Sequence, residues 1–165
     1  MSDLNNFNGS QNAMKNTPKG WPRISSAIFY DDAGAAIDWL CRAFGFEVRI
    51  KVVGDKGRIE HSELVIGEGV IMVGSASTEA EPAAPFKAHF KSPLSLGGAN
   101  TQSMMVYVDD ADAHCARAKA AGATILMEPS VHDYGEDHWA DRSYGAVDPE
   151  GHHWWFTQRI RDPKS

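Results

Sequence analysis

Two stretches of this chain carry one pattern. Ile28-Phe29-Tyr30-Asp31-Asp32-Ala33 returns as Val106-Tyr107-Val108-Asp109-Asp110-Ala111, and Cys41-Arg42-Ala43 with Gly45 returns as Cys115-Ala116-Arg117-Ala118 with Gly122. The copies lie about 78 residues apart, and self-similarity at a fixed period means that one small structural unit is used twice. In the first copy, β-branched and aromatic residues over 24–30 predict a strand. Asp31-Asp32 then offers an N-cap, Ile37, Leu40, Cys41 and Phe44 recur at helical spacing, and Gly45 ends the pattern. Strands are expected over 46–53, 58–66 and 70–74, divided by Gly54-Asp55-Lys56-Gly57 and Gly67-Glu68-Gly69. The unit is βαβββ. The second copy repeats strand, cap and helix, then continues with a strand over 123–127, a long loop over 128–141, and strands over 143–147 and 153–158. Units of this size cannot each bury a core, so the two must share one. The expected class is α+β, with two tandem βαβββ modules curving a mixed sheet around a cleft.

The plan is then a disordered tail over 1–22 and one domain over 23–160, followed by a short tail over 161–165. Within the domain, module one spans 24–75 and module two 101–160. Between them, 76–100 is rich in Ala, Pro, Ser and Gly without a sustained period, as suits a linker or flap. The net charge of −6, with Lys and Arg scattered, argues against a nucleic-acid partner. No apolar run approaches the roughly 20 residues of a membrane helix, and the first residues lack the apolar block of a secretory signal. The cytoplasm is the expected compartment. Cys41 and Cys115 fall in helical patterns without metal-type spacing, which predicts buried thiols.

Near the C-terminus, Asp148-Pro149-Glu150-Gly151 reads as a tight turn feeding the strand His152-His153-Trp154-Trp155-Phe156. Alternation sends His153 and Trp155 to one face and Trp154 and Phe156 to the other. The first pair is expected to wall a ligand cleft and the second to pack on helices.

Paired βαβββ units, an Asp-Asp-Ala cap in each and a closing Asp-Pro-Glu-Gly-His turn resemble the vicinal oxygen chelate superfamily, which includes glyoxalase I, extradiol dioxygenases and bleomycin resistance proteins. The run from His61 to Gly67, Ile71-Met72-Val73, Trp139 and Tyr144-Gly145 is most similar to its PhnB-like branch. The resemblance implies a homodimer with small-molecule sites in cup-shaped sheets. It also implies four metal-ligand positions on the first and last strands of each module, which fall on Ser25, Met72, Ser103 and Trp155. Trp155 has no lone pair to give and Met72 is a soft donor, so a divalent metal is disfavoured and no cofactor is expected.

His61 and Glu63 share a strand face. Facing the cleft, they would serve as base and orienter, or with His153 as ligands of a divalent metal; facing solvent, they are a surface pair. Ser25, Met72, Ser103, His153 and Trp155 are the expected ligand wall, with Tyr134 and Trp139 closing over it. Arg142 is either an anion contact or a surface ion pair. His114, mid-helix, and His89, in the linker, are expected at the surface. The resulting reading is a small-molecule binder with an aromatic cleft. The alternative is a lyase, isomerase or dioxygenase-type enzyme built on His61, Glu63 and His153.

Overall fold

In the computed structural model, which describes residues 15–77 and 84–164, each repeat is a four-stranded mixed sheet with one helix. β1 (Ser26–Tyr30), α1 (Ala33–Phe44), β2 (Glu47–Val53), β3 (Ile59–Ile66) and β4 (Gly69–Ser75) form module one. β5 (Ser103–Tyr107), α2 (Ala111–Ala120), β6 (Thr124–Asp133), β7 (Ala140–Val147) and β8 (His153–Arg161) form module two. The strand orders are β1-β4-β3-β2 and β5-β8-β7-β6. In both sheets the first strand pairs parallel with the last, placing Ala27 beside Met72 and Met105 beside Trp155. The α+β class and the tandem βαβββ plan hold, with two sheets where one curved sheet was expected.

The double aspartates act as the repeat suggests. The side chains of Asp32 and Asp110 accept the amides of Ala35 at 3.0 Å and Ala113 at 2.9 Å, satisfying N–H groups that a helix start leaves unpaired. Gly45 ends α1 at φ 80°, a left-handed position that favours glycine.

The helices pack on each other and on the inner faces of both sheets. α1 buries Ile37, Leu40 and Phe44 completely, whereas the buried stripe of α2 is Ala111, Cys115 and Ala118, small enough for close approach. Phe44 meets Trp154 at 5.3 Å and Phe156 at 4.6 Å, so β8 of module two packs on the helix of module one. Full burial of a side chain such as Phe44 or Phe156 is worth about 1.5–3 kcal/mol. His114, expected at the surface, is instead half-buried in this junction. Its Nε2 lies 2.9 Å from the Phe44 carbonyl and its Nδ1 2.5 Å from the Tyr144 hydroxyl. Since a carbonyl only accepts, Nε2 carries the proton, and Tyr144 donates to Nδ1.

The Asp148-Pro149-Glu150-Gly151 turn is an inter-module clasp. Asp148 is 5% exposed and accepts from the Tyr30 hydroxyl at 2.6 Å, the Trp154 indole at 3.0 Å, and the amides of Glu150 and His152 at 3.0 and 3.1 Å. Glu150 accepts the amides of Asp31 and Asp32 at 2.7 and 2.8 Å and the Ser92 hydroxyl at 2.6 Å. His152 donates to the Phe29 carbonyl at 3.0 Å.

Three expected segments differ. The loop placed at 128–141 is mostly strand, because β6 continues to Asp133 and β7 begins at Ala140. Pro129 falls where pairing is irregular between Met127 and Ser130, on an edge strand, the place where a sheet tolerates proline. The described part of the linker is pinned, with Phe90 stacked on Phe29 at 4.3 Å and Ser92 fully buried. Of the expected N-terminal tail, residues 1–14 lie outside the described residues. The remainder is tied to module one, where the Gly20 carbonyl accepts from Arg49 Nη1 at 2.5 Å and Trp21 lies under the Arg49 guanidinium at 4.7 Å.

Candidate functional site

Each sheet has a second face, turned away from the helices, and the strand period of two decides what stands on it. In β3, Ser62 and Leu64 point inward and are fully buried, which sends His61 and Glu63 outward, beside Met72 of β4. In β8, Trp154 and Phe156 point inward, which leaves His153 and Trp155 outward, beside Ser103 and Met105 of β5.

On module one the outward face is polar at its centre. Glu63 is only 6% exposed, and it binds His61 Nε2 at 3.2 Å and Arg49 Nε at 2.6 Å. Burial alone would raise the Glu63 pKa, but the hydrogen bonds from His61 and Arg49 outweigh it and hold the carboxyl below its ordinary value. A neutral His61 that donates from Nε2 to this carboxylate keeps a lone pair on Nδ1. The ring also lines a hollow of about 210 Å³ with Ala27, Phe29, Met72 and Phe90.

The outward face of module two is aromatic. Trp155 lies over Gly145, where an added Cβ would stand 3.0 Å from the indole, so only glycine lets the ring lie so close. Met105 and Tyr107 flank it from β5 and are 62% and 53% exposed. At the far end, Arg159 binds Asp141 at 2.6 Å and the Tyr107 hydroxyl at 3.0 Å, with its guanidinium 5.7 Å from the ring centroids of both Tyr107 and Trp139. The free edges of β1 and β5 lie near each other and border a cleft of about 360 Å³ lined by Ser25, Ile71, Met105 and Tyr107.

The expected site residues therefore divide between two faces. His61, Glu63 and Met72 stand together on module one, while Ser103, His153 and Trp155 stand on module two. His153 does not join His61 and Glu63, and among the described residues no three His, Cys, Asp or Glu side chains converge as a metal would require. Ser25 lies just before β1, its hydroxyl buried without a partner among the described residues. Tyr134 and Trp139 pack on each other at 5.1 Å across the β6–β7 hairpin. Arg142 points to the helix side, bound through two nitrogens to Asp112 at 2.6 and 2.7 Å, which is the ion-pair alternative. The expected reading passed over Tyr107 and Arg159. Alternation from Ser103 to Met105 to Tyr107, and from Trp155 to Arg159, carried the signal for both.

Two helix-backed βαβββ sheets with open outer faces define the tandem-module architecture anticipated above. The family model for the Glyoxalase/Bleomycin resistance protein/Dioxygenase superfamily matches residues 23–156, and the chain belongs to that superfamily. It is 35% identical over 146 residues to the uncharacterized protein Mb0911c of Mycobacterium bovis, covering 86% of each chain. Among solved structures, TioX from Micromonospora sp. ML1 is 30% identical with a TM-score of 0.60, covering 83% of this chain and 95% of TioX. A member of the superfamily from Sphaerobacter thermophilus DSM 20745 shares the fold at 18% identity and a TM-score of 0.59, over 81% of this chain and 94% of its own. The metal implied by the resemblance does not suit the four positions: two hydroxyls, a thioether and an indole are not a donor set for zinc, iron or nickel.

Proposed function

We propose that the protein binds a small organic molecule against the aromatic outer face of module two, with Trp155 as the floor and Met105, Tyr107 and Trp139 at the sides. The carrying observation is the Trp155 ring lying on Gly145 next to exposed Met105 and Tyr107. An indole offers wide contact area and one donor at little entropic cost, which is what a ligand wall needs. His153 and Ser103 supply polar contacts at the near end. Ser25 borders the cleft beside Met105 and Tyr107 of the same chain, while Met72 belongs to the facing half in a homodimer, where a second copy covers faces that one chain leaves open. The free edges of β1 and β5 and the exposed Met105 favour this assembly. The branch is the PhnB-like one on the residues from His61 to Gly67. Free Cys41 and Cys115 accord with a reducing cytoplasm. A fragment screen read by NMR tests the reading: hits should lose at least about tenfold in affinity in Trp155→Ala, the cost of about 1.4 kcal/mol of ring contact. Hits that bind this variant as tightly as the parent defeat it.

A second reading has its own observation. His61 held by Glu63 at 3.2 Å, its ring lining the hollow beside Met72, is an oriented base for proton abstraction in a lyase or isomerase, acting through Nδ1 when the neutral ring donates from Nε2. Any turnover discovered should fall at least about a hundredfold in His61→Ala, the usual contribution of general-base catalysis. Full activity in that variant removes the idea.

A further inference from the structure

The connector between the modules makes a second crevice that the aromatic face does not use. It has a volume of about 250 Å³ and lies between β1 and residues 89–102, with Phe29, Phe90, His89, Lys91 and Gln102 among its walls. In a chain of net charge −6, its described lining holds Lys91, His89 and His152 and no Asp or Glu. The nearby Glu150 carboxylate, which binds Ser92 of the same connector, is already satisfied by three donors.

The donors are unevenly committed. His152 gives its Nε2 proton to the Phe29 carbonyl and is a wall. Among the described residues Lys91 makes one bond, to the Ser77 carbonyl at 3.3 Å, which leaves two of its three N–H groups without a described partner, and His89 is exposed. The stacked Phe29–Phe90 pair supplies the apolar surface. A volume near 250 Å³ is below the range of about 300–1,000 Å³ for drug-sized pockets and suits one ring.

We infer that this crevice binds a small, single-ring aromatic carboxylate, its ring against Phe29 and Phe90 and its carboxylate toward Lys91 and His89. The site is independent of Trp155. The test is an NMR titration of the ¹⁵N-labelled full chain with benzoate, benzamide and acetate. Benzoate should shift the amides of Phe29, Phe90, Lys91 and Gln102 saturably, with benzamide and acetate each binding at least about tenfold more weakly, as loss of a charge-assisted bond or of the ring contact predicts. Lys91→Gln should weaken benzoate about tenfold and His89→Gln less, both with thermal midpoints within about 2 °C of the parent because neither side chain is a core contact. Trp155→Ala should leave benzoate binding unchanged. Equal binding of benzoate and benzamide, unaltered affinity in Lys91→Gln, or shifts confined to Met105, Tyr107 and Trp155 would overturn the proposal; the last result would leave the aromatic-face reading standing.

Discussion

Asp148→Asn tests whether the turn at the head of β8 is a clasp or only a corner. In the parent, one carboxylate oxygen takes the amides of Glu150 and His152 while the other takes the Tyr30 hydroxyl and the Trp154 indole. An Asn side chain can keep its oxygen toward the two amides. Its NH₂ group then meets Tyr30, whose hydroxyl can rotate to accept, and Trp154, whose N–H cannot. Trp154 is fully buried, so that donor is left without a partner. One orphaned donor costs about 1–3 kcal/mol, and loss of charge assistance on the retained bonds adds about 1 kcal/mol, giving about 2–4 kcal/mol. For a domain of this size that lowers the thermal midpoint by roughly 4–16 °C. Tyr30→Phe removes one donor and leaves Asp148 three, so it should cost less, about 1–2 kcal/mol. The two changes share a hydrogen bond, so the double variant should lose about 1 kcal/mol less than their sum. Urea unfolding followed by tryptophan fluorescence at fixed protomer concentration measures all three. An Asp148→Asn variant within about 0.5 kcal/mol of the parent, with an unchanged urea dependence, refutes the clasp.

Acid should loosen the junction through His114. Burial, ahead of the opposing Phe44 carbonyl contact, lowers its pKa in the folded state. The unfolded chain therefore takes up the proton first, and stability is lost as pH falls through the ordinary His value of about 6.5. In urea titrations between pH 7 and 5, His114→Gln should lose less stability than the parent, and parallel losses would contradict the assignment. Gly145→Ala places a Cβ 3.0 Å from the Trp155 ring, so the indole must lift by a few tenths of an ångström. Stability should fall by about 0.5–1.5 kcal/mol, the usual cost of mild overpacking, while Trp155 emission and fragment affinity change more. Unchanged emission would show that the ring does not rest on Gly145.

What sequence reveals here follows from how local each interaction is. The repeat, the aspartate caps and the alternation along β8 were legible because each depends on residues a few positions apart. Pro129 and the polar run after it read as loop because proline lacks a ladder donor. Only the sheet order, which puts β6 at an edge, makes the strand permissible. His114 read as exposed because α2 has so weak an apolar stripe; its partners, Phe44 and Tyr144, lie 70 and 30 residues away. The pairing of His61 with Glu63 needed only the strand period, but which way that strand faced depended on helices packing behind it. His153 was already assigned to the other module; whether the outward faces of two sheets bring their side chains together depends on how the modules pack, which spacing along the chain does not encode.

The turn that most clearly marks the family is also the stretch with the least freedom to do chemistry. Asp148, Glu150 and His152 spend their polar atoms on Tyr30, Trp154, the start of α1, Ser92 and the Phe29 carbonyl, and each contact except the Trp154 indole joins module two to module one or to the connector. A group whose lone pairs and protons are taken cannot also bind a substrate without unmaking the junction, at about 1–3 kcal/mol for each buried polar group left unpaired. Selection for the fold and selection for a ligand therefore act on different atoms. The fold is held at the turn and on the inward residues of each strand. The ligand is left to outward positions such as Met72, Met105, Tyr107 and Trp155, where a substitution exchanges one surface for another and leaves the core untouched. On that division, exchanging Trp155 and Tyr107 together should retarget the aromatic face while the urea midpoint stays near the parent's, whereas no change at Asp148 should alter ligand choice without first weakening the fold.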